Sequence, residues 1–485
     1  MSPLRVAVVG GGIAGLSATW TLRRQAVASG RPVEVRLFEA SPRLGGKVGT
    51  EHRDGFLLEA GPDSFLTRKP QAVELARELG LGDRLIDTDP SRNRVWMVRH
   101  GKLAEIPPSM GHVLPCRLAP IWGSQLLSWR GKLRLAMDLV LPRRRGVGDE
   151  SLGSFLRRRF GKEMVDRLAG PLLAGIYVAD PESLSLAATF PHFAEIERRH
   201  GSVIRGLRAS MAARGARPGG PGAAARAHGS APAPSTRAAL AGGIGELTDA
   251  LIAALREPSP VADLTLSTQA PVEDLAPSGA EGRWHLTAAG ETYEADAVIL
   301  ALPAFAAADL LAPFAAEPAA TLSAIPYVST ATVSLGYREA DLPRPLDGYG
   351  FVVPAAEKRR ITACTWCSAK FPDRAGEGHA LLRVFLGGAL GERWLDGDDD
   401  TLAGHAREDL ADLMGLDADP ILTVVHRHRR ATPQYRVGHG DRIAAVESAL
   451  PPGLHLAGSA FHGIGLPDCI KSGAEAAAAV GVLEA

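Results

Sequence analysis

Six residues near the start constrain this chain more than any others: Gly10-Gly11-Gly12-Ile13-Ala14-Gly15. Gly10, Gly12 and Gly15 have the spacing G-x-G-x-x-G. They follow a short apolar run, residues 5–9, and lead into a segment where Ile13, Leu16, Trp20 and Leu22 recur at helix-like intervals. A buried strand, a tight turn and a helix are predicted in that order. In such a unit Gly10 makes the turn, Gly12 lets the backbone approach a pyrophosphate, and Gly15 lets the helix lie close to the strand. The pyrophosphate rests on the free N–H groups and positive end of the helix. Residues 33–39 supply a second strand, with Val33, Val35 and Leu37 on one face. It ends in Glu39, about 20 residues past the glycines, where a ribose hydroxyl needs an acceptor.

The bulk properties narrow the class. A chain of 485 residues is expected to hold two or three domains. Lys and Arg together number 54, as do Asp and Glu, so no overall basic field draws the chain to nucleic acid. Four cysteines (Cys116, Cys364, Cys367, Cys469) argue against a disulfide framework and suit a reducing cytosol. The chain enters its first strand too early to leave room for a signal peptide. Its best apolar run, residues 297–308, contains Pro303 and is too short to span a bilayer.

Further signals follow in order. Arg43-Leu44-Gly45-Gly46-Lys47 places paired glycines beside cationic side chains, a second loop fit to approach phosphate. NAD-only dehydrogenases have no need of it, so it favours FAD. Gly61-Pro62-Asp63-Ser64 reads as a loop. Residues 110–141 are expected to be helical and amphipathic, with Trp122, Leu126, Leu127 and Trp129 among basic residues. That pattern fits a membrane surface or an internal helix; the internal helix is the preferred reading. Residues 151–168 read as a helix whose Arg157-Arg158-Arg159 run forms a solvated face. Residues 214–239, rich in Ala, Gly, Pro and Arg, cannot bury enough surface to offset their ordering entropy and are read as a disordered loop. Residues 264–275 and 283–287 look like strands. Residues 294–303 read as one more, bringing the chain back to the nucleotide-binding sheet. Residues 331–337, 348–354 and 360–367 alternate as antiparallel strands. Cys364 and Cys367 are taken as two buried small residues, because positions three apart on a strand face opposite ways. No metal site is expected. Gly463-Ile464-Gly465-Leu466-Pro467-Asp468 turns into a C-terminal helix, with Pro467 and Asp468 suited to its first turn.

The glycine loop, Glu39, Arg43-Leu44-Gly45-Gly46 and the C-terminal turn together resemble the FAD-dependent amine oxidase and protoporphyrinogen oxidase superfamily. Within it the chain is similar, over nearly its whole length, to the oxygen-dependent porphyrinogen oxidases of haem synthesis. The more specific segments are Glu59-Ala60-Gly61-Pro62-Asp63-Ser64-Phe65-Leu66, Gly175-Ile176-Tyr177-Val178-Ala179-Asp180, Pro433-Gln434-Tyr435-Arg436-Val437-Gly438-His439 and Gly465-Leu466-Pro467-Asp468-Cys469-Ile470. Two departures stand out: Val178 where the family usually has Ala, and a longer 214–239 segment.

The resemblance implies an α/β plus α+β fold, a Rossmann-like FAD-binding domain interleaved with a mixed-sheet and helical substrate domain. The FAD-binding parts would be residues 1–88, 241–304 and 431–485. The substrate parts would be 89–205, helical over about 110–200, and 305–430, with a low-complexity loop at 206–240. It carries non-covalent FAD contacts over to Gly10, Gly11, Gly12, Ile13, Ala14, Gly15, Glu39, Ala40, Arg43, Gly46, Lys47, Gly61, Pro62, Asp63, Ser64, Val272 (through its backbone, at the adenine), Tyr435, Ile464, Gly465, Leu466, Pro467 and Asp468. On the substrate side Arg94 would meet a propionate, Tyr349 and Val352 would sandwich the macrocycle, and the backbone carbonyl of Gly175 would orient a ring N–H. No acid–base residue is assigned. The implied reaction removes six electrons from a porphyrinogen and passes them to O2, releasing hydrogen peroxide. The likeness leans to coproporphyrinogen III over protoporphyrinogen IX. An amine oxidase and a non-catalytic escort protein are the alternatives, and each lacks support in one place: paired tyrosines are not evident, and Glu39 and the C-terminal turn are intact. The expected setting is the cytoplasm, with peripheral contact at the inner face of the cell membrane and with the next enzyme of the haem pathway. Oligomeric state is left open.

Overall fold

The computed structural model describes residues 2–107, 110–111, 114–115, 119–144, 146, 148–215, 236–279 and 282–482. Two sheets organise them. The first is a five-stranded parallel sheet in the spatial order Ala262–Ser267, Val33–Phe38, Leu4–Val9, Ala297–Leu300, Leu454–Leu456. Its strands alternate. Val6, Val8, Val35 and Leu37 face the helices Ile13–Ser29, Gly245–Arg256 and Leu466–Ala479, while Ala7, Val9, Val298 and Leu300 face the other way. That second face is covered by a three-stranded antiparallel meander (Val272–Ser278, Arg283–Ala288, Glu291–Ala295), which buries Trp284 and Leu286 against it. Burial on both faces is why the parallel strands are short and almost wholly apolar.

The meander refines two of the expected strands. Residues 264–275 are two strands, because residues 268–271 leave the parallel sheet and cross the end of the second strand, with Gln269 N–H donating to Ser41 O and Ala270 N–H to Glu39 O. Residues 294–303 also split. Asp296 N–H donates to Arg5 O at 2.8 Å and its Oδ2 accepts the Arg5 N–H at 2.8 Å, and the chain changes sheets there. The apolar half, Ala297–Leu300, does return beside the first strand.

The second sheet has seven strands in the order Leu422–Pro433, Tyr327–Arg338, His379–Gly387, Ile361–Trp366, Gly350–Val352, Trp96–Arg99, Lys102–Glu105. It is antiparallel except where Gly350–Val352 runs parallel to Trp96–Arg99. Against it lies a helical layer whose core holds Phe155, Leu156, Phe160, Leu173, Phe193 and Ile204.

Four expectations from the sequence change here. Residues 110–141 are not one helix: the pair Met110–Gly111 and Leu114–Pro115 precedes helices Ala119–Gly123 and Trp129–Ala136. The long helix of residues 151–168 breaks at Gly161, whose φ of 91° ends Leu152–Phe160. Its arginine run is not a solvated face throughout. Arg159 is fully buried, with Nε 2.6 Å from Asp138 Oδ1 and Nη2 donating to the carbonyls of Asp138 and Gly201 at 2.8 Å. A buried guanidinium survives only because Asp138 neutralises it and its donors are spent. Finally, the low-complexity loop read as 206–240 is shorter at both ends. Helix Val203–Gly215 anchors through Val203 and Ile204, and strand Arg237–Leu240 buries Ala238, Ala239 and Leu240; residues 216–235 lie outside the described residues.

Cys364 and Cys367 are both buried, in different apolar clusters. Burial pushes both thiols up, Cys367 to about 12, as suits inert core sulfurs. Among the described residues no helix is long and apolar enough to cross a membrane.

Candidate functional site

The parallel sheet delivers its groups to one edge, the carboxyl ends of the strands, where an open α/β sheet binds ligands. Gly10 leaves the first strand with φ 107° and its N–H donates to Phe38 O at 2.7 Å. A Cβ on Gly10 or Gly15 would overlap the Ala301 or Gly10 carbonyl oxygen respectively, so both positions are closed to side chains by the backbone itself. Gly12 differs: a Cβ there would meet nothing within 4 Å. The fold leaves space in front of that residue, at the free N–H end of helix Ile13–Ser29. Gly11 packs against Leu44 and Glu39, and Ile13 and Ala14 are buried in the helix's first turn.

Glu39 sits beside this opening. Its Oε2 accepts from Gly11 N–H at 2.7 Å and its Oε1 from Ser41 N–H at 2.8 Å. Each oxygen keeps a second lone pair for a ribose hydroxyl. Ala40 is exposed next to it, and Val272 opens the meander strand just after the chain has crossed Glu39 and Ser41.

The second glycine loop closes the far wall. Gly45 N–H donates to Gly11 O at 2.8 Å, and Gly46 and Gly12 are in backbone contact. Arg43 laces the loop from outside, donating to the carbonyls of Gly46 at 2.5 Å and Val48 at 3.1 Å. Tying carbonyls on that side leaves the opposite side of the loop to its N–H groups. Lys47 reaches across to the Ala431 carbonyl in the seven-stranded sheet. It is solvent-accessible, yet enough protein surrounds it that desolvation lowers its ammonium pKa.

Residues 60–64 form a third wall, and here the seven-stranded sheet intervenes. His428 Nε2 donates to Ala60 O at 2.7 Å, Arg383 Nη2 to Gly61 O at 2.7 Å, and Lys370 Nζ pairs with Asp63 Oδ2 at 2.6 Å. Ser64 Oγ donates to Asp63 Oδ1, also at 2.7 Å, and Pro62 lies between the tethered residues. Burial alone would raise the Asp63 carboxyl, but Lys370 and Arg383 outweigh it and hold it well below the usual carboxylate range. Burial lowers His428, keeping it neutral.

The C-terminal turn completes the enclosure. Gly465 caps helix Leu466–Ala479, with Pro467 in its first turn, and Asp468 Oδ2 accepts the Gly465 N–H at 3.3 Å. Ile464 reaches the core of the helical layer. Tyr435 is buried, stacked on His439 at 3.9 Å. Its hydroxyl donates to Ser459 O at 2.7 Å and accepts from Gly463 N–H at 2.8 Å, so it holds the turn in place. Burial pushes that phenol far above its ordinary pKa. Cys469, behind the turn, is a buried thiol pushed up to about 12.

Arg94, Tyr349 and Val352 also come together. Tyr349 N–H donates to Arg94 O at 2.8 Å, and Val352 pairs with Met97 two strands in from the sheet edge. The Tyr349 hydroxyl donates to Asp89 O at 3.0 Å. Arg94 is half-exposed and its guanidinium is shared between Asp347 at 3.1 Å and Glu105 at 3.8 Å. Val352 and Ile464 both border the helical core, and helix Gly170–Tyr177, which contains Gly175, packs across strands Gly350–Val352 and Ile361–Trp366. Val352 therefore borders the same helical core that Ile464 of the C-terminal turn touches, while Arg94 and Tyr349 lie at the ends of the neighbouring sheet strands. Sequence reasoning missed Lys69, Lys370, Arg383 and His428. Each pairs with a residue hundreds of positions away, and only Arg383, an isolated cation in the apolar strand His379–Gly387, carries a local signal of that.

Comparison with known proteins places these features in company. Residues 13–481 match the family model described as flavin containing amine oxidoreductase. A coproporphyrinogen III oxidase of Bacillus subtilis (strain 168) is 36% identical over 472 residues, covering 96% of each chain. One from Propionibacterium freudenreichii subsp. freudenreichii is 38% identical, covering 97% of this chain and 89% of its own. The protoporphyrinogen oxidase of Bos taurus is 33% identical over 98% of both. A solved structure from Exiguobacterium sp. 255-15 superposes with a TM-score of 0.84 at 31% identity over 100% of both chains. A putrescine oxidase variant shares the fold at a TM-score of 0.69 and 16% identity.

Proposed function

The chain belongs to the flavin-containing amine oxidoreductase family, and we propose that within it the chain uses bound FAD to oxidise coproporphyrinogen III to coproporphyrin III, with O2 as the final acceptor. The observation that carries this reading is near-full-length likeness to several coproporphyrinogen III oxidases, a span that includes the substrate-side segments as well as the nucleotide fold. The division into FAD-binding segments 1–88, 241–304 and 431–485 and substrate segments 89–205 and 305–430 belongs to the proposal. It is supported by the strands of the parallel sheet falling in the first set and nearly all strands of the seven-stranded sheet in the second.

The residues present suit FAD: an open approach at Gly12, spare lone pairs on Glu39, glycine-loop amides opposite Arg43, and a helix N-terminus at residues 465–468. FAD, when bound, supplies a two-electron acceptor for hydride. The chain's own residues bind, orient and enclose. Glu39 holds the ribose, while the Gly12 and Gly46 loops hold the pyrophosphate. The positive end of helix Leu466–Ala479 favours negative charge at the redox end. Tyr349 and Val352 pack the macrocycle and Gly175 O accepts a ring N–H. Arg94 takes a propionate by releasing Asp347, an exchange that costs little because exposed ion pairs are weak, at about 0–1 kcal/mol.

Aerobic turnover of the FAD-loaded protein, followed by porphyrin fluorescence, is the test. Strong activity on coproporphyrinogen III and little on protoporphyrinogen IX is expected, and the reverse preference would reassign the substrate. Arg94→Ala should raise KM about tenfold or more for a charge-assisted contact and leave kcat nearly unchanged.

Peripheral membrane contact forms part of the same reading. Among the described residues ten large apolar side chains are exposed, and five of them lie between Trp122 and Val140. Trp129, Leu133, Met137 and Val140 recur at helical intervals on the outer face, while Gly131, Leu135 and Asp138 pack inward. The preferred internal-helix reading thus holds for one face only. Exposed Arg130, Arg143 and Arg144 and half-buried Lys132 surround the outer face, and Asp138, the one acid between residues 119 and 144, turns inward onto Arg159. Tryptophan with basic neighbours suits an anionic lipid surface. The protein should co-sediment with phosphatidylglycerol vesicles and not with phosphatidylcholine vesicles. Trp129→Ala with Leu133→Ala should reduce that partition several-fold.

A further inference from the structure

We infer that Lys69 is a tuning residue for the cofactor's redox potential, acting by neutralising Asp468 at the N-terminus of helix Leu466–Ala479. The inference rests on the FAD reading above and concerns Lys69, which that reading leaves without a role.

Asp468 poses an electrostatic problem. Its carboxylate lies in the first turn of the helix that favours negative charge on a reduced cofactor, where it caps the Gly465 N–H. It is packed tightly enough that a Cβ on Gly463, a residue with φ 138°, would lie within 2.9 Å of it. A capping carboxylate stabilises the helix, but its full negative charge opposes the helix's roughly +0.5 unit of dipole charge. Left alone, Asp468 would invert the field that the turn presents.

Lys69 restores it. Its Nζ stands 2.6 Å from both Asp468 oxygens, a symmetric ion pair between residues 399 apart in sequence. The lysine is held for that purpose. It follows strand Phe65–Leu66 and precedes helix Gln71–Glu78, and both of those elements pack on helix Leu466–Ala479. Its N–H is tied to Leu66 O at 3.2 Å. Asp468 keeps only 15% of its side-chain surface, so the pair is shielded on the acid's side. Lys47 also faces this turn, and both lysines oppose Asp468 in their effect on the Cys469 thiol behind it. With Asp468 cancelled by Lys69, the unbalanced Lys47 and the helix dipole leave the turn net positive.

The test is the two-electron midpoint potential of bound FAD, measured by dye-coupled spectrophotometric reduction in wild type, Lys69→Met, Lys69→Arg, Asp468→Asn and the Lys69→Met/Asp468→Asn double variant. Lys69→Met should shift the reduction equilibrium about tenfold toward the oxidised form, equivalent to about 30 mV for a two-electron couple. Lys69→Arg should restore most of the shift. In the double variant the loss should vanish, since an amide at 468 still caps Gly465 and carries no charge to neutralise. A potential unchanged in Lys69→Met, with FAD retained, overturns the inference and leaves the FAD reading standing. An equal drop in both backgrounds also overturns it, because Lys69 would then act without Asp468. A wild-type protein that holds no FAD overturns both.

Discussion

Gly12→Val should abolish FAD retention while leaving the apo-protein as stable as wild type. A Cβ at position 12 would meet no protein atom within 4 Å, and the backbone there, at φ −71° and ψ 176°, is extended and open to any residue. The fold therefore tolerates valine. The ligand does not, because the open space is what brings the pyrophosphate onto the amides at the end of helix Ile13–Ser29. Losing two charge-assisted bonds at about 1.5–3 kcal/mol each weakens binding on the order of 100-fold to 10,000-fold. Flavin absorbance after gel filtration and thermal unfolding without added FAD are the two readings required. Gly15→Ala makes the control, since its Cβ would overlap the Gly10 carbonyl and disturb the strand–helix contact itself. It should lower apo stability, which Gly12→Val should not. A Gly12→Val protein that keeps its flavin would remove the pyrophosphate from this loop.

That contrast shows what the sequence could convey. The G-x-G-x-x-G spacing is legible because each glycine answers to a local constraint within one strand–turn–helix unit, and Glu39 is legible because the second strand must end beside it. The return of residues 297–300 to the sheet was legible from their unbroken apolar run. Other features depended on partners far along the chain. Nothing in Arg157-Arg158-Arg159 says which arginine turns inward, because the answer lies in Asp138 and in the carbonyls of Leu141, Pro142 and Gly201. The amphipathic pattern expected over residues 110–141 announced the buried face of helix Trp129–Ala136, but a pattern cannot say whether the apolar residues left over on the other face have a partner. The meander was misread for a related reason. Strands of two sheets abut at Asp296 without a turn residue between them, so hydrophobicity alone joined them.

The substrate side was legible only as resemblance. Arg94, Tyr349 and Val352 carry no spacing that marks a site, and what unites them is the parallel pairing of Gly350–Val352 with Trp96–Arg99, two strands some 250 residues apart. The seven-stranded sheet does more than carry them. Through His428 and Arg383, and through Lys370 on the short helix Cys367–Lys370 that follows strand Ile361–Trp366, it grips residues 60–63 beside the glycine loops, so the position of those loops relative to the sheet is set by buried polar bonds as well as by apolar packing. Such contacts are directional and fix geometry in a way that apolar burial does not.

The strongest of these contacts is also the most exposed to test. Lys370→Met should cost about 3–5 kcal/mol of stability at neutral pH, the usual effect of removing one member of a buried ion pair. Lys370 keeps 9% of its side-chain surface and Asp63 20%, so solvent screens the pair little. The pH dependence gives the sign. In wild type the Asp63 carboxyl is held below its ordinary value against the opposing effect of burial, chiefly by Lys370 and then Arg383. A depressed carboxyl contributes stability that is fully present above its unfolded pKa, about 3.9, and is lost as the pH falls through the folded value. In Lys370→Met that contribution is largely gone, and burial, now less opposed, favours the neutral acid. The gap between wild type and variant should therefore be widest near pH 7 and narrow as the pH falls and Asp63 in the variant takes up a proton. Asp63→Leu combined with Lys370→Met should recover part of the loss, since apolar replacement of both partners leaves neither of them as an unpaired charge, while Arg383 keeps its bond to Gly61 O. Guanidinium unfolding of FAD-loaded protein between pH 7 and about pH 3, below the unfolded carboxyl value, reads all three. A gap that stays constant across that range would mean that Lys370 stabilises the protein through its packing on Phe371, over whose ring its ammonium lies at 5.1 Å, and not through Asp63.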